Sequence, residues 1–205
     1  MVNKLKKDDS TEQKVLVAAK KVFVARGMAG ARMQDIADAA GINKAMLHYY
    51  FRNKEQLFDT IFSELASAFF PQIQLIFESD ESLFLKIESF CSAYIDKILL
   101  NPYIPQFVLN EINQRPDLFI HKLSKIGPPD LTKLLAQIDA EIKAGKIKPI
   151  APVQLIVNML SMCIFPFIAK PMLMAVMNID EGSFTMLMES RKKAIPQFII
   201  ESIKK

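Results

Sequence analysis

The 205-residue chain is 51% hydrophobic and 23% charged with a net charge of +4, a balance that can bury a core and excludes extended disorder as the dominant state. Two cysteines, Cys91 and Cys163, and two histidines exclude a disulfide-stapled scaffold and lack the ligand spacing of a structural zinc site. The charge is unevenly placed: residues 1–60 hold 11 Lys/Arg against 7 Asp/Glu, whereas residues 61–205 hold 15 of each. A basic module joined to a neutral apolar one points to a polyanion partner, either nucleic acid or an anionic membrane face.

In chain order, residues 1–9 carry basic side chains with no apolar run behind them. They read as a flexible basic arm rather than a signal peptide, which leaves the cytoplasm as the default compartment. Ser10 and Gln13 have capping-box spacing, Leu16, Ala19, Val22 and Phe23 line one helical face, and Gly27 is expected to stop the first helix. A short helix over about 33–40 ends at Gly41, another spans about 44–50, and a longer one starts at Asn53, whose side chain can cap it. Pro71 should kink or restart that helix. Further helices are expected over 82–100, 104–114, 116–125, 129–144, 152–178 and 183–203. No alternating run argues for a strand. The chain reads as all-α with about nine helices or slightly more. Residues 151–179 are apolar enough to invite a membrane reading, but Asn158, Pro166, Lys170 and Pro171 interrupt them, and a buried interface helix needs no membrane.

Three short helices with a Gly-containing turn between the second and third follow the helix-turn-helix plan. Ala37 and Ala40 allow close helix approach, Gly41 permits the sharp turn, Ile42 plugs its underside and Asn43 can cap the next helix. With Leu47 as the apolar anchor, positions 44, 45, 46, 48 and 49 face outward. Lys44, His48 and Tyr49 on a basic module suit a major-groove reader.

The run from Val15-Leu16 through Phe23, Gly27, Asp35-Ile36-Ala37 and Ala39-Ala40-Gly41-Ile42-Asn43-Lys44-Ala45-Met46-Leu47-His48-Tyr49-Tyr50-Phe51 to Asn53-Lys54-Glu55-Gln56-Leu57 resembles the DNA-binding domain of TetR-family transcriptional regulators. The resemblance covers about residues 11–60. It implies a homodimer that binds a palindromic double-stranded operator, usually as a repressor, and is released by a small molecule in the C-terminal domain. By position, Lys44, Ala45, Met46 and Tyr49 fall where the recognition helix meets base edges and nearby phosphates, and Tyr50 and Lys54 fall where the family contacts the backbone. Ala31, Arg32 and Met33 stand where Thr or Ser is common, so a cap and phosphate contact are expected from Arg32 and Gln34. His48 replaces a usual Tyr. Ala45-Met46 replaces a common Gly-Thr and suits a thymine methyl. Together Arg32, Gln34, Asn43, Lys44, Ala45, Met46, His48, Tyr49, Tyr50 and Lys54 form the expected DNA-binding set.

The implied organisation is an arm at 1–9, a DNA-binding domain at 10–53 and a ligand-binding and dimerisation domain at 54–205. Seven of the eleven Met lie between 159 and 188, as core filling, a dimer interface or an adaptable pocket. The family pairs its last two helices with those of a symmetry mate, which assigns dimerisation to 152–203. Phe62, Phe69, Phe90, Tyr94, Tyr103 and Phe107 lie on helices that enclose the family's pocket, and the scarcity of charge there suggests an apolar or amphipathic effector. No phosphate loop, nucleophile elbow, cofactor fingerprint or metal set is present, so an enzyme is not expected, and His121 reads as a surface residue. The alternative function is a helical interaction or adaptor protein that no longer binds DNA.

Overall fold

The computed structural model describes residues 2–102, 104–114 and 116–205, with the side chains of 2–9, 24, 27–29, 107, 110, 111 and 114 outside that description. The expected arm at 1–9 and the pocket candidates Tyr103 and Phe107 therefore lie outside the described side chains. Among the described residues eleven helices follow one another: α1 Val2–Gly30, α2 Met33–Ala40, α3 Lys44–Tyr50, α4 Lys54–Glu78, α5 Leu83–Leu100, α6 Ile104–Gln114, α7 Pro116–Ile126, α8 Thr132–Lys143, α9 Pro152–Ile168, α10 Lys170–Met177 and α11 Glu181–Ile203. Among the described residues the only β-type pairing is an isolated antiparallel bridge between Ile147 and Lys204.

Three expectations about helix ends are corrected. Ser10 and Gly27 both lie inside α1, which runs on to Gly30. The backbone at Gly27 is helical, a conformation glycine takes at an entropic cost. Pro71 lies inside an uninterrupted α4, on an exposed face, where water can satisfy the carbonyl that its missing N–H leaves unpaired. The predicted single helix over 152–178 is two, α9 and α10, which meet at a bend of 72°. That break takes the ten helices expected along the chain to eleven among the described residues. Among the described residues no single helix is long and apolar enough to cross a membrane, although this bent pair passes by length and composition.

The local signals between α2 and α4 act as their chemistry dictates. Gly41 takes φ 68°, a left-handed conformation that costs an L side chain about 1–2 kcal/mol, and closes α2. The Asn43 carboxamide accepts from Met46 N–H at 2.7 Å and starts α3, and Asn53 accepts from Gln56 N–H at 2.7 Å and starts α4.

Two apolar clusters form the core. The first joins Leu16, Ala19 and Phe23 of α1 to Ile36, Leu47, Phe51, Leu57, Phe58 and Ile61. The second gathers Ile73 and Phe77 of α4 with buried residues of α5, α8, α9 and α11. Helix α4 thus contributes to both. Cys91 and Cys163 are free and buried in the second cluster. A hydrogen bond to Cys163 and burial push the Cys91 thiol up.

Candidate nucleic-acid interface and ligand pocket

Helix α3 is fixed by one side chain. Leu47 is fully buried, whereas Lys44, Ala45, Met46, His48 and Tyr49 are exposed. Tyr49 is 82% exposed and meets Tyr50 edge-on at 5.3 Å. Tyr50 is half-buried and packs against the first cluster. The His48 Nδ1 lies 3.0 Å from the Arg52 carbonyl. A carbonyl can only accept, so this bond requires the hydrogen on Nδ1 and leaves Nε2 available on an exposed residue.

The start of α2 was only partly legible. Arg32 is the N-cap residue but makes no side-chain capping bond. The Asp35 carboxylate instead reaches back to the Arg32 N–H at 3.3 Å and also pairs with Arg26 Nη1 at 2.5 Å. Sequence reasoning missed this residue, although an acid three positions into a helix is the back-bonding half of a capping box. Gln34 donates to Asp38 Oδ1 at 2.7 Å. Both acids near this face are therefore engaged by donors of the same module. Lys54 reaches across the module and donates to the Ala31 carbonyl at 3.2 Å. That bond ties the start of α4 to the loop before α2.

A cavity of about 240 Å³ lies where the two clusters meet. Helix α4 supplies Phe62, Leu65, Ala66, Phe69 and Phe70; α5 and its end supply Tyr94, Lys97, Ile98 and Asn101; α6 supplies Ile104 and Val108; α7 supplies Phe119 and Leu123. Phe62, Leu65, Ile104 and Val108 pack against the cluster that holds Leu47, and Phe69 and Tyr94 pack against the other. Ring contacts run from the first cluster to the cavity wall. Phe23 meets Phe58 at 5.5 Å, Phe58 stacks on Phe62 at 6.5 Å, and Phe62 meets Phe119 at 5.8 Å. Burial holds the Tyr94 phenol pushed up to about 12, so it is neutral at physiological pH. Of the described pocket candidates, Phe62, Phe69 and Tyr94 line the cavity. Phe90 does not: it is buried between Phe77, stacked at 5.5 Å, and Tyr94, also at 5.5 Å.

Beyond the cavity, α9 and α11 leave apolar side chains uncovered. Val153, Val157, Leu160 and Phe165 are exposed on α9, and Met186 and Phe198 on α11.

Residues 15–61 match the family model described as bacterial regulatory proteins, tetR family. Among curated relatives, the repressor NicS of Pseudomonas putida is 38% identical over 61 residues, which span 30% of this chain and 29% of that protein. The regulator RutR of Escherichia coli strain K12 is 25% identical over 142 residues, 69% of this chain and 66% of that protein. The matches thus cover less than two thirds of either relative's length. Solved structures align over nearly the whole chain. The ketosteroid transcriptional regulator KstR2 of Mycobacterium tuberculosis gives a TM-score of 0.67 at 17% identity over 95% of each chain. HlyIIR, a hemolysin II transcriptional regulator, gives 0.65 at 22% identity over 96% of this chain and 98% of that one. At these identities the alignments show the fold.

Proposed function

We propose that this chain, whose residues 15–61 match the tetR family model, is a homodimeric repressor of that family, released from a palindromic operator by a small apolar or amphipathic effector. The observation that carries this reading is the shared wall. Side chains that line the cavity also pack against the cluster that anchors the recognition helix. An occupant of the cavity therefore touches the packing that sets the position of α3. The relatives matched here are transcriptional regulators.

In this reading α3 enters the major groove. Lys44 meets phosphate, Ala45, Met46, His48 and Tyr49 meet base edges and methyl groups, and Arg32, Gln34, Asn43, Tyr50 and Lys54 frame the contact along the backbone. The Lys54–Ala31 bond gives Lys54 a second task, holding the start of α4 against the DNA-binding module. Residues 10–53 with the first turns of α4 act as the reading head, and the remainder holds effector and partner. A partner chain covers the exposed stripes of α9 and α11.

The test is a titration of the full chain against its flanking genomic DNA at several salt concentrations. Log affinity should fall linearly with log salt, with a slope of about −0.9 for each phosphate neutralised. Lys44→Ala should weaken binding to all sequences alike and make the slope shallower by about one unit. Tyr49→Ala should change the preference between operator variants and leave the slope nearly unaltered. No sequence-specific, salt-dependent complex would refute the reading. If Lys44→Ala alters sequence preference and Tyr49→Ala does not, the two roles are reversed.

A further inference from the structure

We infer that the cavity takes a small anionic amphiphile, with its acid group on the Lys97 ammonium and its hydrocarbon body against the aromatic wall of α4 and α7. This rests on reading the cavity as the effector site. Its lining is apolar or aromatic except at one end, where Lys97 and Asn101 stand together at the close of α5. Lys97 is half-buried, and its Nζ lies 6.0 Å from the centroid of the Phe69 ring, the outer limit of a cation–π contact. Asn101 donates to the Lys97 carbonyl at 3.0 Å, which holds the two polar groups to the same final turn.

Among the described residues the charge at that end has no counter-charge. Several other partly buried lysines have one: Lys122, on α7, pairs with Asp59 at 2.7 Å, Lys170 pairs with Glu181, and Lys192 pairs with both Asp96 and Glu189, whereas the buried Lys86 donates to the Phe77 carbonyl. Among the described residues no carboxylate forms an ion pair with Lys97. A neutral occupant would strip water from the ammonium and return at most a hydrogen bond without a counter-charge, and a cationic one would repel it. A ligand carboxylate supplies the missing charge in a partly desolvated setting, where charge-assisted hydrogen bonds are strongest. The volume of about 240 Å³ lies under the range of about 300–1,000 Å³ usual for drug-sized ligands, so the hydrocarbon body is short.

The experiment is calorimetry on the full chain at neutral pH with octanoate, 1-octanol and octylamine, which share one chain and differ in head group. Octanoate should bind at least about tenfold more tightly than 1-octanol, a difference of about 1.4 kcal/mol, and octylamine should be the weakest. Lys97→Met should bring octanoate down to the level of 1-octanol, and Lys97→Arg should keep the preference. Equal or tighter binding of 1-octanol by the unaltered chain would overturn the acid-binding inference while leaving the cavity as an effector site. So would a Lys97→Met chain that still prefers octanoate. If neither these three nor a series from butanoate to dodecanoate binds at all, the inference and the effector reading fall together.

Discussion

Leu47→Ala is expected to abolish operator binding. Leu47 is fully buried and is the one side chain of α3 that is wholly enclosed by the first cluster. Truncating a buried leucine costs about 2–5 kcal/mol. A short helix cannot hold itself together without tertiary packing. Helix α3 has only 7 residues, and the Asn43 cap and Gly41 turn cannot hold its angle once the anchor is gone. Operator affinity should fall to the nonspecific level, about a thousandfold or more. Leu47 is not among the side chains that line the cavity, so effector binding should persist. Tyr49→Ala is the control: 82% exposed, it should leave thermal unfolding nearly unchanged. Operator titrations and thermal unfolding of the two variants provide the check. A Leu47→Ala chain that binds operator like the parent would show that α3 is not the element that reads DNA.

A comparable loss is expected from the double change Val157→Asp and Phe198→Asp. Both residues are exposed on the single chain, where substitutions usually alter folding by no more than about 0.5 kcal/mol. In a dimer they would be buried, and an aspartate without a partner there is heavily disfavoured. A stable interface covers about 1,200–2,000 Å², and carboxylates in both stripes would oppose it from each side. Sedimentation at micromolar concentration should give a monomer for the variant and a dimer for the parent. Operator affinity should drop about a thousandfold or more, because one head cannot recruit the other to the second half-site. A variant that stays dimeric would place the interface elsewhere.

Local chemistry was the legible part of this chain. Gly41, Asn43 and Asn53 act on atoms two to four residues away, and each does in the fold what its side chain predicts in the sequence. The alternation of buried Leu47 with exposed Lys44, Met46, His48 and Tyr49 is equally local, since it follows from the helical period. Ser10, Gly27 and Pro71 are equally suggestive as punctuation, yet α1 and α4 run through them because their flanking faces are packed. Phe23, Leu57 and Phe58 fix those helices more strongly than one residue can break them. The cavity was less legible. Aromatic residues on α4 and α5 pointed to Phe62, Phe69 and Tyr94, but period alone cannot tell a stripe facing a void from one facing neighbours, and Phe90 proved to be enclosed by Phe77 and Tyr94. Phe119 and Lys97 emerged only when α5, α6 and α7 were brought together. Helix α9 is apolar almost all round, so its pattern hid which side faces out. In the fold, Met162 and Ile164 pack against the second cluster, while Val157 and Phe165 are exposed.

On the proposed function, the cavity and the reading head are energetically coupled through α4. Its Leu57, Phe58 and Ile61 belong to one cluster and its Ile73 and Phe77 to the other, with the cavity wall between them. Two heads must sit about 34–36 Å apart to enter successive major grooves, so a small tilt of α4 is enough to spoil simultaneous docking. An effector can shift operator affinity only by its differential affinity for the two states, typically about 1–3 kcal/mol, and the effect is reciprocal. The direct measurement is calorimetric titration of the amphiphile that binds best into the free protein and into the same protein saturated with operator. Effector binding should be weaker in the presence of operator, by the same factor, about 5- to 150-fold, by which effector weakens operator binding. Phe62→Ala and Phe69→Ala should shrink that factor. Equal effector affinity with and without operator would show that α4 does not couple the two sites, even with both binding events observed.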